Sequence, residues 1–301
     1  MIKEKIKFIY YKLRLYHLLS DKAFLKLQFR RMQGYRLDLN NVKTLNEKIQ
    51  WLKLYDRTPL HTICADKVLV RDYVEEKLGS KYLIPIVNTF RYSNEITPEK
   101  LPNYPVIIKT NHDSGSYFII KDKINQNWIF IKEKLSQSLN NNYYYSGREW
   151  QYKNIKPLII IEKLLIDSDG KIPMDYKLHC FSGKVEYISV DIGRGTDNHC
   201  RNWYDKNWNR APFKWSSISG SNKTDPSKKD VEKPTVLNEM IKCSEVLAKD
   251  FAYVRVDWYD LDSKLFFGEI TFHHDSGFLP IEPYNWDLKL GNLVDLSNIK
   301  R

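Results

Sequence analysis

The sequence predicts a mixed α/β (α+β) protein with a helical start, and three observations carry that expectation. The first 80 residues repeat helix-start and helix-stop signals. From "KYLIPIV" onward, short runs rich in β-branched and aromatic residues are set apart by turn residues and by helical stretches. With 301 residues, 42% of them hydrophobic, the chain can build more than one lobe with its own core.

The elements follow in order. Ser20-Asp21 places a cap before a helix that Gly34 can stop. Thr44-Leu45-Asn46-Glu47 has the spacing of a capping box and opens "TLNEKIQWLKLYD". "ADKVLVRDYVEEKLG" is a further helix with Gly79 as its stop. "YPVIIKTN" and "SYFIIKD" are short strands around the loop "NHDSG", followed by a helix around "NWIFIKEKLSQSL" and a strand in "PLIIIEKLL". "DYKLHCF" and "KVEYISVDI" form a hairpin across Ser182-Gly183. Residues 219–234 are polar and turn-rich and read as a surface loop. A helix near 235–249, a second hairpin and a polar tail complete the chain. These divisions give a helical region over 1–104, a small lobe over 105–165 and a larger C-terminal lobe over 166–301.

The net charge of +11 raises the question of a nucleic-acid partner. Residues 1–60 hold 14 Lys/Arg against 5 Asp/Glu, so +9 of the +11 lies there and the main body is nearly neutral. No nucleic acid is expected. The opening "MIKEKIKFIYYKLRLYHLL" has charges every few residues, unlike a secretory signal or a membrane span. It reads as a helix packed on its own domain, or as a basic face resting on an anionic membrane. Cys64, Cys180, Cys200 and Cys243 are scattered without a CxxC, which suits free thiols in a reducing cytoplasm.

The stretch "YVRVDWYDLDSKLFFGEITFHHDSG", Tyr253 to Gly277, sets acids inside apolar strand-like runs, where burial without a partner is costly. Strand alternation puts Arg255, Asp257 and Tyr259 on one face, and Phe267, Glu269 and Thr271 on one face of the next run. A loop centred near Ser263 would set Asp257 opposite Glu269, where two carboxylates repel. A hard divalent ion such as Mg²⁺ relieves them, and Arg255 is then placed to meet an anion. A structural Arg–Asp pair explains the same residues without a metal. In "VIIKTNHDSGS" an apolar strand ends at Lys109 before a loop with Ser114 and Gly115, a combination that suits phosphate oxygens. One glycine is not the spacing of a P-loop, and Lys109 alone reads more plainly as a solvated strand end. "LIIIEKLL" closes on Glu162, which could meet an adenine amino group and ribose hydroxyls or simply end a strand in solvent.

Taken together, the order Lys67, Lys109, Glu162, Arg255, Asp257, Glu269 resembles the ATP-grasp superfamily, and within it the TupA-like family named for teichuronopeptide biosynthesis. "VIIKTNHDSG", "DYKLHCFSGK", "NWYDKNW", "VRVDWYD" and "GEITFHHDSG" carry most of the resemblance, which runs from about "TLNEKIQWLKLYDRTPLHTICADK" to the tail. It implies ATP gripped in a cleft between a small lobe and a C-terminal lobe. It implies ATP contacts from Lys67, Lys109, Ser114, Gly115, Glu162, Lys163 and Lys177, with Lys109 and Arg255 as catalytic groups. Mg²⁺ would be held by Asp257 and Glu269. Thr271 stands where the superfamily often has Asn, a shorter and weaker ligand that puts a third metal contact in doubt. Asp175, Arg194, Arg201, His273 and Ser276 lie where an acidic substrate could be held, although a histidine near an aromatic core is more plainly a hydrogen-bonded structural residue.

The expected activity is an ATP-dependent carboxylate–amine ligase working through an acyl phosphate. By analogy with the family, it joins an amino acid or small amine to a uronic-acid sugar, small or lipid-linked, in surface polysaccharide. A cytoplasmic location follows, with the basic N-terminal segment as a peripheral contact to the inner membrane face. One alternative is a metal-dependent glycosyltransferase using Asp260 and Asp262 as a DxD motif, although Asp is also favoured in a turn. The other is a basic module that binds membrane or nucleic acid and ignores ATP.

Overall fold

The computed structural model describes residues 15–194, 196–219 and 222–300. Most of the basic opening segment therefore lies outside the described residues. The helical start is built as its local signals dictate. Helix α1 (Asp21–Gln33) is capped by Ser20, whose hydroxyl accepts from the Ala23 amide at 3.3 Å, and ends on left-handed Gly34. Helix α2 (Leu45–Tyr55) carries the full capping box: Thr44 accepts the Glu47 amide at 3.1 Å, and Glu47 accepts the Thr44 amide at 2.9 Å. Helices α3 (Pro59–Ala65) and α4 (Val70–Leu78) follow, the last stopped by Gly79.

The small lobe is an antiparallel sheet of β1 (Ile86–Phe90), β2 (Val106–Thr110), β3 (Tyr117–Ile120) and β4 (Ile159–Lys163), in the order β1-β4-β2-β3. Helix α5 (Trp128–Leu139) buries Ile131 and Leu135 against Ile108, Ile120, Ile159 and Ile161, where each buried aliphatic side chain contributes about 2 kcal/mol. The sheet takes in Ile86–Phe90, upstream of the expected start at 105. That strand is a half-exposed edge whose membership is decided by pairing with β4, more than 60 residues away, so no local signal marks it.

The large lobe is a five-stranded antiparallel sheet of β5 (Asp175–Phe181), β6 (Lys184–Ile192), β7 (Cys200–Asp205), β8 (Tyr253–Leu261) and β9 (Lys264–Thr271), in the order β9-β8-β5-β6-β7. Ser182 and Gly183 both have positive φ in the expected β5–β6 turn. One face is apolar: Tyr176, Leu178, Cys180, Val254, Val256 and Trp258 pack against helix α6 (Leu237–Ala248). Alternation sends Asp175, Lys177, His179, Arg255 and Asp257 to the other face, which forms the floor of a cleft. The polar stretch 219–234 is not all loop, since Ile218–Ser219 and Asn222–Lys223 pair as a short ribbon.

The tail expected to be polar instead closes the second core. Ile281, Leu290 and Val294 are buried with Leu45, Ile49 and Leu52 of α2, and helix α7 (Tyr284–Asn292) crosses its N-terminus. Asp287 accepts from the Asn46 amide and side chain, both at 3.0 Å. The apolar positions in α7 are too few to advertise burial; the contact with α2 decides it.

Lys53 of α2 is fully buried, its ammonium bonded to Gln50 Oε1 at 3.1 Å, Gly147 O at 2.9 Å and Ser276 O at 2.7 Å. Burial lowers its pKa to about 7, from 10.5 for a free lysine. Because the folded state resists protonation, stability is greatest above 10.5 and is lost as the pH falls toward 7. Urea unfolding between pH 7 and pH 10 should show stability rising by up to about 1.4 kcal/mol per unit from this group. In Lys53→Met the slope should flatten. An unchanged slope in the variant would show that Lys53 is not the group responsible.

Candidate active site

The cleft floor is set by strand register. β8 pairs with β5 so that Asp257 faces Lys177, Arg255 faces His179 and Tyr259 faces Asp175. On its other side β8 meets β9 with an irregularity between Val256 and Trp258. Gly268 stands at that bulge, where a Cβ would lie 3.1 Å from the Asp257 carbonyl oxygen and 3.3 Å from its Cβ. A larger residue would push the strands apart there. The hairpin turns at Asp262 and Ser263, both at positive φ, and the extra residue brings Glu269 beside Asp257.

Arg255 joins the two acids. Its Nε and Nη2 donate to Asp257 Oδ1 and Oδ2, each at 2.7 Å, and Nη2 also reaches Glu269 Oε1 at 2.8 Å. Nη1 meets His274 Nδ1 at 2.7 Å. Lys177 adds a second cation, bonded to Asp257 Oδ2 at 2.9 Å and to Asp175. Burial pushes the Asp257 carboxyl up, against the pull of Arg255 and Lys177. At Glu269 dehydration likewise opposes charge, but Arg255, Lys67, Lys177 and Arg194 outweigh it and hold the carboxyl at about 2. Fully buried His274 is kept neutral by burial and by Arg201 and Arg255. Its Nδ1 accepts from Arg255, and its Nε2 lies 3.3 Å from both Arg201 Nη1 and Asp275 Oδ2.

The donor set fits a hard divalent ion only in company. Among the described residues no group of three or more His, Cys, Asp or Glu side chains is arranged to hold a metal. Asp257 and Glu269 supply two carboxylates, and the hydrogen bonds made by Glu269 all use Oε1. Two carboxylates with an open oxygen suit Mg²⁺, which completes its shell with phosphate oxygens and water. Thr271 spends its hydroxyl hydrogen on Glu269 Oε1 at 3.2 Å, so it orients that carboxylate.

The small lobe contributes from above. Lys109 pairs with Glu162 at 2.5 Å, and Arg71 lies 3.8 Å from the other Glu162 oxygen. Lys67 bonds the Asp113 carbonyl in the β2–β3 loop, and its pKa is lowered by burial while the charge of Glu269 across the cleft raises it. Asn111 ties the loop root to Asp66 at 2.9 Å and to the Lys156 carbonyl at 3.1 Å, while Ser114 and Gly115 at the tip are exposed. Lys67, Lys109 and Glu162 thus share one wall. Lys163 does not join them: it is exposed, over the Tyr104 ring.

The expected substrate residues fall into two groups. Asp175 binds Lys177 and Arg194, the latter at 2.8 Å, and Arg194 is half exposed at the rim. Arg201 is buried and doubly bonded to Asp191, at 2.7 and 3.2 Å, with Ser217 at 2.7 Å. His273 and Ser276 turn instead toward Glu149, a buried acid in "GREWQY" that sequence reasoning passed over. An acid among aromatics is the signal that singled out Asp257, and it would have found Glu149 as well. Asp260 closes the β8–β9 turn, accepting the Ser263 amide at 3.0 Å on the face opposite Asp257, and Asp262 is exposed.

A family model described as TupA-like ATPgrasp matches residues 47–295. No curated protein matches. Among solved structures the chain is similar to a D-alanine–D-alanine ligase from Bacillus anthracis complexed with ATP, at 16% identity and a TM-score of 0.37, covering 70% of this chain and 54% of that one. It is also similar to an L-amino acid ligase from Bacillus licheniformis, at 12% identity and a TM-score of 0.46, covering 86% and 57%. A third is the ATP-grasp ligase PsnB complexed with a phosphomimetic variant of its minimal precursor, Mg and ADP, at 8% identity and 0.40, covering 83% and 67%. The chain thus spans only 54% and 57% of the length of the first two ligases.

Asp257→Asn should cost about 3 kcal/mol or more in chemical unfolding, because it strands two buried cations. The double change Asp260→Asn with Asp262→Asn should stay within about 1 kcal/mol, since both lie at an accessible turn. A reversed order would contradict the assignment of the buried cluster to Asp257.

Proposed function

Because the chain belongs to the TupA-like ATP-grasp family, we propose that it is an ATP-dependent ligase that joins a carboxylate to an amine. The observation that carries this reading is the Arg255–Asp257–Glu269 cluster standing across a cleft from Lys67 and Lys109. A carboxylate oxygen of the acid attacks the γ-phosphorus of ATP, the bond to the bridging oxygen breaks, and ADP leaves. The amine nitrogen then attacks the acyl carbon. A C–N bond forms, the C–O bond to phosphate breaks, inorganic phosphate departs, and the proton lost by nitrogen passes to solvent.

Each residue has a task in that sequence. Lys67 and Lys109 meet phosphate oxygens, Lys109 by exchanging its Glu162 partner for the nucleotide. Glu162, freed in the same movement, accepts from the adenine amino group or ribose. Lys177 donates to Asp257 and holds it in place, and Arg255 presents its remaining Nη1 hydrogen to the oxyanion that develops at the acyl carbon. Asp257 and Glu269 would hold Mg²⁺, which when bound neutralises charge on the transferring phosphoryl group. The 111–116 loop covers the site and excludes water while the acyl phosphate exists. In this reading residues 105–165, with Ile86–Phe90, form the ATP-binding lobe, and 166–301 form the lobe with the metal and acceptor sites.

For the acid we propose a uronic-acid sugar of a surface polysaccharide, free or lipid-linked, on the strength of the family alone. Exposed Lys22, Lys26 and Arg30 on α1 extend the basic opening segment and give the enzyme a face toward an anionic membrane surface. Among the described residues no helix is long and apolar enough to cross a membrane.

An ADP-release screen of uronic acids against amino acids and small amines tests the reading. ADP should form only when an acid is present, and Asp257→Asn or Glu269→Gln should lower the rate at least a hundredfold, on the order of 3 kcal/mol of transition-state stabilisation. Nucleotide-sugar hydrolysis without acid-dependent ADP release, lost on changing Asp260 and Asp262, would replace the ligase with a glycosyltransferase.

A further inference from the structure

Glu162 is a buried carboxylate whose two oxygens meet only two cations among the described residues. Lys109 Nζ lies 2.5 Å from Oε2, and Arg71 Nη1 lies 3.8 Å from Oε1. Strand alternation puts Lys109 and Glu162 on the cleft face of the small sheet. Ile108 and Ile161 are buried in the core under α5, so Lys109 and Glu162, each one residue further along, point the opposite way. Glu162 is only 5% exposed, and a carboxylate so far from water is costly once it lacks a counter-ion.

Arg71 approaches from a different element. It stands in the first turn of α4, on the side opposite Tyr73, whose hydroxyl donates to the Leu247 carbonyl at 3.0 Å. The chain leading into that helix is tied to the small lobe. Asp66 Oδ1 accepts from the Val68 amide at 2.8 Å and from Asn111 Nδ2 at 2.9 Å, and the Lys67 amide donates to the Asn111 carbonyl at 3.2 Å. Arg71 is thus carried beside Glu162 by backbone that moves with the small sheet. Among the described residues its guanidinium makes no hydrogen bond, and neither Asp72 nor Glu75 on the same helix pairs with it. A cation with several N–H donors is held near one carboxylate oxygen without yet bonding it.

The two cations address different oxygens. Lys109 can leave Oε2 for a phosphate oxygen without disturbing the Arg71 side, and Arg71 can close on Oε1 without covering Oε2. If Lys109 left with nothing in its place, Glu162 would remain a buried charge with no partner. We propose that Arg71 takes over as counter-ion of Glu162 when Lys109 turns to the triphosphate, leaving Oε2 open to the nucleoside. Arg71 is a positioning residue, acting on the nucleotide through Glu162. The handover rests on the ligase reading and deepens its nucleotide site by a residue from the helical region. It also divides ligands into two classes. Those with phosphates draw Lys109 away and need Arg71, whereas a bare nucleoside leaves Lys109 in place and does not.

Calorimetric titration of the full chain with ATP and Mg²⁺, inorganic tripolyphosphate and Mg²⁺, or adenosine tests this. Arg71→Met, which keeps length without charge, should weaken ATP and tripolyphosphate about tenfold each. Adenosine should change less than about twofold, which also shows that the variant is folded. Arg71→Lys, which restores the charge, should bind ATP within about threefold of wild type. In Glu162→Gln no charge is left to hand over, so adding Arg71→Met should change ATP affinity less than about twofold. Adenosine weakened as much as ATP overturns the handover, because Arg71 would then touch the nucleoside or merely support the fold. An undiminished effect of Arg71→Met in Glu162→Gln overturns it too, in favour of direct contact with phosphate. Wild type that binds ATP no better than Arg71→Met removes the handover alone. Wild type that binds neither ATP nor tripolyphosphate removes the ligase reading and the handover with it.

Discussion

Two carboxylates on adjacent strands, each drawn toward one guanidinium, set the terms for the rest of the molecule. Asp257 is almost wholly removed from water, and a lone carboxylate there would cost several kcal/mol. Arg255 binds it through two parallel hydrogen bonds and extends a third to Glu269. Lys177 and His274 close the arrangement on either side. Such a cluster is stable only where neighbouring strands hold its partners in register. The bulge at Gly268 and the pairing of β8 with β5 therefore matter more than any single ion pair.

The cluster also explains why the cleft is polar on one side and closed on the other. The apolar face of the large sheet is spent on α6, and the helical start with the C-terminal tail seals the far end. Lys67, from the turn between α3 and α4, bonds the Asp113 carbonyl of the 111–116 loop, and Lys109 of β2 pairs with Glu162. Charge placement then runs in bands: Lys67 and Lys109 above, and acids with their arginine below. That order suits a reaction in which a phosphoryl group, a carboxylate and an amine meet while water is kept away.

Much of this could be read from the sequence where the determinants are local. The Thr44–Glu47 box, the stops at Gly34 and Gly79 and the Ser182-Gly183 turn are decided within a few residues, and all stand as expected. Counting from a turn near Ser263 also brought Asp257 and Glu269 together, but it did not show the bulge or that Arg255 would bridge them. Non-local features were hidden. Edge strand Ile86–Phe90 owes its place to β4, the tail owes its burial to α2, and Glu149 meets Ser276 across 127 positions of chain. Spacing alone cannot reveal a contact made only when distant segments pack.

The central claim is that a carboxylate is activated by phosphorylation in the cleft. It is tested most directly by supplying the acid selected by ADP release with its carboxyl oxygens labelled with ¹⁸O. If a carboxylate oxygen attacks the γ-phosphorus, that oxygen leaves with phosphate when the amide forms. One labelled oxygen should therefore appear in each inorganic phosphate, alongside ADP. Unlabelled phosphate, or AMP in place of ADP, would contradict the account.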